Sequence, residues 1–300
     1  MRIEVNNSSF EIIKLLGKGK GGYSYLVSDG DKNYVVKKIH HEPCSYYQFG
    51  NKLQSEIDDY KRLKKIGISL PEMYDVDTER EHILKEYIDG DTIFDMVKAN
   101  VDVIKYISQV NEMCKKLYAA NTNIDYFPTN FVPQDGKLYY IDYECNDYME
   151  EWNFENWGIK YWSKTKEFIG YVNKEIVKKF FKEGYENHDY DKVMNILADN
   201  YFDHSPAGAR SNEDAVGILK IVKNMFTDLK IEIMDIFEED NMVASRVKYS
   251  GIHSGECIGI AGTGKSITFE ALENFKLRDG KIIESWGYWP DIEIKKILES

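Results

Sequence analysis

The sequence predicts an α+β protein of two domains, and three observations carry that expectation. Residues 9–40 read as glycine-broken strands, and helical spacings follow at 51–66 and 101–120. After position 170 the order is helices first, then four strand-like stretches, the pattern of an antiparallel sheet with segregated helices. The 300 residues, 43% hydrophobic and 30% charged, are about two domains' worth at roughly 100–200 residues each. A join near 170 places the domains at 1–170 and 171–300.

Each element has a local reason. Phe10–Leu16, Tyr23–Val27 and Tyr34–Ile39 read as three antiparallel strands, with Asp29-Gly30 as hairpin chemistry between the last two. Leu53, Ile57, Tyr60 and Leu63 give one helix, ended before Pro71. Ile104, Ile107, Val110, Met113 and Leu117 give another. Ile83–Tyr87 and Leu138–Ile141 are short apolar strands. In the second half Ile176, Val177, Phe180, Phe181 and Tyr185 mark a helix, and Val193, Ile196 and Leu197 a second. A third spans about 212–226, with Ser211 or Asn212 as N-cap. Strands follow at about 229–238, 242–250, 265–278 and 281–289, with Asp240-Asn241 and Asp279-Gly280 as turns.

Composition excludes several classes. Six prolines and no low-complexity tract exclude disorder and fibrous repeats. No apolar stretch approaches the roughly 18 residues of a membrane span, and residues 1–30 lack a signal-peptide pattern, so a cytoplasmic protein without a membrane partner is expected. The net charge of −12 is evenly spread, 22 basic against 28 acidic residues up to position 170 and 17 against 23 after it. That disfavours nucleic acid as a partner. The one basic cluster, Lys61-Arg62-Leu63-Lys64-Lys65, reads as a solvated helix face. Cys44, Cys114, Cys145 and Cys257 lie far apart and read as reduced thiols.

Five features of the first half point to phosphate chemistry. Gly17-x-Gly19-x-x-Gly22 is weak alone, but a strand follows it where a dinucleotide fold needs a helix. Lys37 lies on the third strand and Glu56 on the next helix. Asp125 and Asn130 have D-x-x-x-x-N spacing, and Asp142 ends a strand. In this order the set resembles the protein-kinase-like superfamily, over roughly residues 8–168. The resemblance implies a bilobal fold, with a first lobe at about 8–88 and a reduced second lobe at about 91–168. It implies ATP and Mg²⁺ as cofactors. Gly17, Gly19 and Gly22 would fold over the nucleotide, Lys37 would hold the α- and β-phosphates beside Glu56, and Glu86 and Ile88 would border the adenine. Asp125 would orient or deprotonate the acceptor hydroxyl, with Asn130 and Asp142 on Mg²⁺. Asn123-Ile124 stands where His-Arg is usual and Tyr143-Glu144 where Phe-Gly is usual, and no Ala-Pro-Glu follows. The 28 residues from Asp142 to position 170 leave no room for a peptide platform. Small-molecule kinases, atypical protein kinases and inactive relatives therefore stay open. The aromatic stretch Trp152–Trp162 either lines an acceptor site or replaces missing helices by packing, and packing is the preferred reading.

Gly259–Ser266 spells the P-loop pattern G-x-x-x-x-G-K-S, but alternation from Ile267 to Phe275 announces a strand where a P-loop needs a helix. It is read as a loop between antiparallel strands. The stretches Asn173–Phe181, Tyr201–Pro206, Gly251–Glu256, Gly262–Lys265 and Arg278–Trp286 resemble the SnoaL-like polyketide or ester cyclases. That resemblance implies an α+β barrel around an apolar cone that binds a small molecule. His204, His253 and Asp291 would face the cone, with Tyr201, Trp286 and Trp289 as walls. The family's acid/base aspartate position falls on Pro290 here, one residue before Asp291.

The reading is an ATP- and Mg²⁺-dependent phosphotransferase, acting on a Ser/Thr or small-molecule hydroxyl, fused to a SnoaL-like ligand-binding domain. The alternative is a SnoaL-like cyclase, isomerase or dimerisation module tethered to a nucleotide-binding, non-catalytic kinase relative. A homodimer through the C-terminal sheet is a further expectation.

Overall fold

The computed structural model describes residues 1–19, 21–42, 50–206 and 208–300, and Cys44 lies outside them. The chain divides into two compact units, Met1–Thr165 and Lys166–Ser300.

The first unit opens with β1 (Arg2–Val5), β2 (Ser8–Lys18), β3 (Gly22–Ser28) and β4 (Asn33–Ile39). Helix α1 (Lys52–Ile66) follows, then β5 (Met73–Asp77) and β6 (His82–Glu86). The six strands form one antiparallel sheet in the order β1-β2-β3-β4-β6-β5. Successive side chains on a strand point to opposite faces. Val36 therefore joins Ile3, Val5, Phe10, Val27 and Leu84 on one face, while Ile39 packs with Ile83 and Leu53 of α1 on the other. Lys37, two residues before Ile39, shares the α1 face. Asn51 caps α1 by accepting the Gln54 N–H at 3.0 Å, and Gly67 ends it at φ 86°, a left-handed turn that suits glycine.

The second lobe of this unit carries α2 (Ile93–Lys98), α3 (Ile104–Ala119) and the short strands β7 (Thr122–Ile124), β8 (Phe131–Gln134), β9 (Lys137–Tyr140) and β10 (Cys145–Asp147). β7 pairs with β10 and β8 with β9. The aromatic stretch after β10 divides. Phe154 and Trp162 are buried, and Trp162 packs on Phe131 and Phe154 with centroids 4.9 and 5.4 Å apart. Its indole N–H donates to the Tyr126 carbonyl at 2.9 Å. Trp152 is 48% exposed.

The second unit begins with α4 (Lys166–Phe181), a π-helical turn at Lys182–Asn187, α5 (Tyr190–Ile196) and β11 (Leu197–Asp203). It continues with α6 (Asn212–Met225), β12 (Phe226–Glu239), β13 (Met242–His253), β14 (Ser266–Arg278), β15 (Lys281–Tyr288) and α7 (Asp291–Glu299). The sheet order is β11-β15-β14-β13-β12, with β11 parallel to β15 and the rest antiparallel. Ser211 caps α6 through the Asp214 N–H at 3.0 Å. Along β14 the buried row Ile267, Phe269, Ala271, Glu273, Phe275 and Leu277 alternates with more exposed residues. Phe269, Phe275 and Leu277 pack against α4, α5 and α6 in one core. The P-loop-like segment runs as a loop into β14, and no helix follows it. A Cβ on Gly262 would lie 2.2 Å from the Ser254 carbonyl oxygen, so glycine is needed there for packing.

Trp162 is the cross-brace of the second lobe. Trp162→Ala is expected to destabilise the first unit by about 3–5 kcal/mol, the usual cost of emptying a fully buried aromatic site. Trp152→Ala, at an exposed position, is expected to cost less than about 1 kcal/mol. Urea denaturation of the two variants checks the contrast, and equal losses would contradict it.

Candidate functional site

The alternation of β4 sends Lys37 toward α1, where Glu56 occupies the second turn. The Lys37 ammonium is hydrogen-bonded to Glu56 Oε1 and lies 3.4 Å from Asp142 Oδ1. Burial by itself would lower the Lys37 pKa, but the charges of Asp142 and Glu56 outweigh it and hold the lysine protonated. Asp142 is the converse case. Burial pushes its carboxyl up, yet Lys37 and Lys85 together bring it down to about 2.

Lys85, on β6, was not anticipated as a site residue. Its Nζ donates to the Ile141 carbonyl at 2.7 Å and stands 4.3 Å from the Tyr143 ring centroid. Burial, then the nearby Lys37 charge, lowers its pKa to about 8. A lone lysine inside the apolar run Ile83-Leu84-Lys85 was the available signal.

The other expected residues of this unit are held by their own local contacts. The Asp125 carboxylate accepts the Phe127 N–H at 3.0 Å, and Asn130 Nδ2 donates to the Asp125 carbonyl at 3.3 Å. The Ile141 N–H donates to the Asn130 carbonyl at 2.9 Å, which sets Asn130 beside the strand end carrying Asp142. Gly17 lies within β2, and the Gly19 N–H donates to the Gly22 carbonyl at 2.9 Å, closing the β2–β3 hairpin. A Cβ on Gly21 would come within 3.7 Å of Glu56 Oε1 and 3.9 Å of Lys37 Nζ, so the loop backbone passes close over the ion pair. Gly22 has a packing reason of its own, because a Cβ there would lie 2.5 Å from the Lys38 carbonyl oxygen. Glu86 ends β6 with its N–H given to the Glu72 carbonyl at 2.8 Å, and Ile88 is buried just beyond.

The second unit rearranges the expected set. Tyr201 and His253 are buried, and Trp289 joins the interior aromatic group at 4.9 Å from Phe269 and 5.1 Å from Tyr249. His204 and Trp286 do not face that interior. The buried β11 side chains are Leu197, Tyr201 and Asp203, so alternation turns His204 outward, where it stacks on Trp286 at 4.5 Å and bonds Glu284 at 2.9 Å. Asp291 sits exposed on the first turn of α7, so it is no cone residue either. His253 Nδ1 lies 3.0 Å from the Thr263 hydroxyl oxygen and 3.2 Å from the Thr263 backbone nitrogen, and its Nε2 is buried without a partner among the described residues.

The interior polar groups are ones the sequence reading passed over. Tyr249 donates to Glu273 Oε1 at 2.5 Å. Ser285 links Tyr201 at 2.5 Å to Asp203 at 3.1 Å. Burial raises the Glu273 pKa to about 7, against the opposing hydrogen bonds of Tyr249 and Trp289. The available signal was a glutamate on the inward row of an alternating strand.

Comparison with known proteins divides the same way. Residues 175–296 match the family model described as SnoaL-like polyketide cyclase, and the second unit is a SnoaL-like domain. The N-terminal half has kinase-like similarity. One relative is named as a bifunctional tRNA threonylcarbamoyladenosine biosynthesis protein of Methanosphaera stadtmanae, 25% identical over 45% of this chain and 25% of its own length. Another is the KEOPS complex subunit Bud32 of Pyrococcus abyssi, 23% identical over 42% of this chain and 56% of its own. The matches thus span a quarter and about half of these relatives. Among solved structures, a SnoaL-like protein of Jannaschia sp. CCS1 superposes with a TM-score of 0.42 at 18% identity, covering 44% of this chain and 94% of that one.

The Glu273 environment makes a pH prediction. The folded state keeps this proton to about pH 7, whereas the ordinary carboxyl value is 4.5. Between those values the folded state binds the extra proton, so stability falls as pH rises through the window, by up to roughly 3 kcal/mol. Glu273→Gln is expected to remove that part of the fall. Thermal melts of both proteins between pH 4.5 and 7.5 check this, and parallel curves would assign the proton elsewhere.

Proposed function

We propose that the first unit is an ATP- and Mg²⁺-dependent phosphotransferase acting on a hydroxyl acceptor, joined to a SnoaL-like domain that binds a small molecule. The observation carrying this reading is the Lys37 ammonium held between Glu56 and Asp142 beneath a glycine hairpin. Kinase-like similarity of the N-terminal half supports it.

The donor chemistry fits a magnesium nucleotide. Asp142 and Asn130 offer hard oxygens from adjacent backbone positions. Among the described residues no group of three or more His, Cys, Asp and Glu stands ready for a metal. Magnesium is commonly held by one or two carboxylates with substrate phosphates and water supplying the rest. When bound, it would neutralise charge on the transferring phosphates.

The chain's own residues do the positioning. Lys37 would pair with the α- and β-phosphates, with Glu56 keeping its ammonium in place. The Gly17–Gly22 hairpin would lay backbone close over the phosphates, as its approach to Lys37 supports. The chain around Glu86 and Ile88 would border the base. Asp125 would take the acceptor's hydroxyl proton, its carboxylate steadied by the Phe127 N–H. Lys85 would hold the Ile141 carbonyl and so fix the approach of Asp142.

Asp142→Asn is expected to weaken Mg-ATP binding at least about tenfold, a change of roughly 1.4 kcal/mol. Asp125→Ala is expected to leave that affinity within about twofold while lowering phosphoryl transfer by roughly 10²–10⁴. Calorimetric titration with Mg-ATP and a coupled assay of ADP release check both. No Mg-ATP binding to the unaltered protein would overturn the reading, and binding without ADP release would favour a nucleotide-sensing relative.

A further inference from the structure

The segment that carries Asp142 is held from several directions, and Tyr143 is central to that hold. Tyr143 follows Asp142 where phenylalanine is usual in the superfamily that the first half resembles, and its side chain is fully buried. Its backbone N–H donates to Asp142 Oδ1 at 2.8 Å, and its hydroxyl donates to the Pro71 carbonyl at 2.9 Å. Pro71 is itself buried, in the link between α1 and β5. The Tyr143 ring lies 4.9 Å from the Tyr60 ring of α1. The Lys85 ammonium stands 4.3 Å from the centroid of the Tyr143 ring while donating to the Ile141 carbonyl. Two residues on, Cys145 gives its N–H to Asp59 Oδ2 at 3.4 Å and its S–H to Asp59 Oδ1 at 3.2 Å. Glu56, Asp59 and Tyr60 stand three and four positions apart, so one face of α1 serves Lys37, Cys145 and Tyr143.

A phenylalanine at 143 would fill the same space and meet the same rings, but it would not hold Pro71. A buried carbonyl stripped of its donor costs more than the bond itself contributes, so the hydroxyl is kept strongly to one place. That place fixes the backbone after Asp142, as the Lys85 bond to Ile141 fixes the backbone before it. Magnesium tolerates little error in its ligands, because it demands near-ideal octahedral geometry. We propose that Tyr143 is a positioning residue: through its hydroxyl bond to Pro71 it keeps the Asp142 carboxylate where a nucleotide-bound magnesium ion needs it. The inference rests on the phosphotransferase reading, and it gives Tyr143 no contact of its own with nucleotide or metal.

Calorimetric titration of the full chain with ATP, once with magnesium and once with a chelator, reads how much affinity the metal adds. Tyr143→Phe is expected to shrink that magnesium-dependent gain at least about fivefold and to leave metal-free ATP affinity within about twofold. Tyr118→Phe serves as the control for stability. It removes a phenol hydroxyl from the same unit, one that donates to Glu155 Oε2 at 2.7 Å and accepts the Phe154 N–H at 3.0 Å, and it is expected to keep the full gain. In an Asp142→Asn background, Tyr143→Phe is expected to change Mg-ATP affinity by less than about twofold, because the residue it acts through is already altered. Four results would overturn the positioning role while Mg-ATP binding by the unaltered chain still stood: a full gain in Tyr143→Phe, equal weakening with and without magnesium, the same loss of gain in Tyr118→Phe, or an undiminished effect in the Asp142→Asn background. An unaltered chain that binds no Mg-ATP would instead sink the phosphotransferase reading, and the role of Tyr143 with it.

Discussion

A lysine ammonium taken out of water must find opposite charge or lose its proton. Lys37 meets that requirement with two carboxylates from different parts of the first unit, Glu56 on α1 and Asp142 beyond β9. The arrangement depends on β4 turning Lys37 to the α1 face and on α1 presenting Glu56 one turn after its Asn51 cap. It also depends on the second lobe delivering Asp142, which the Ile141 bonds to Asn130 and Lys85 anchor. Removing one member of such a group strands the others in the interior, so the ion pair ties helix, sheet and second lobe together.

Lys85 shows how closely charge is balanced there. Two buried lysines stand with two half-buried carboxylates, and Lys85, which has no carboxylate ion-pair partner among the described residues, has its affinity for a proton reduced. Its ammonium is satisfied by a carbonyl and an aromatic face instead. The second unit resolves the same conflict differently. Glu273 has no cation beside it among the described residues, so burial favours its neutral form, which Tyr249 and Trp289 surround.

The aromatic stretch after β10 shows a division of labour that composition hides. Trp162 and Phe154 fill the core of a short lobe. A few positions away Trp152 stays at the surface with its indole N–H on Glu151, and Trp157 is half-buried. A 3-10 turn at Gly158–Tyr161 lies between Trp157 and Trp162, and glycine is needed at its start because a Cβ on Gly158 would lie 2.5 Å from Tyr126 Cβ.

Much was legible in the residues themselves. Period-two alternation announced β14 and argued against a P-loop, helical spacing announced α1 and α3, and an N-cap at Ser211 or Asn212 announced α6. The order of glycines, Lys37, Glu56, Asp125, Asn130 and Asp142 pointed to one candidate site, because those residues sit on, or just beyond the ends of, elements whose local patterns are legible. What the sequence left open was the direction of side chains where two elements meet. His204 looked like a cone residue until the parity of β11 turned it outward, and Asp291 until α7 carried it to the surface. Lys85 and Glu273 drew no attention, because a charged residue in an apolar strand gains meaning only when its neighbours across the fold are known. Local propensity and periodicity decide which element forms, and these are written in sequence. Burial, ion-pair partners and the resulting protonation come from contacts between distant residues, and only the tertiary structure decides them.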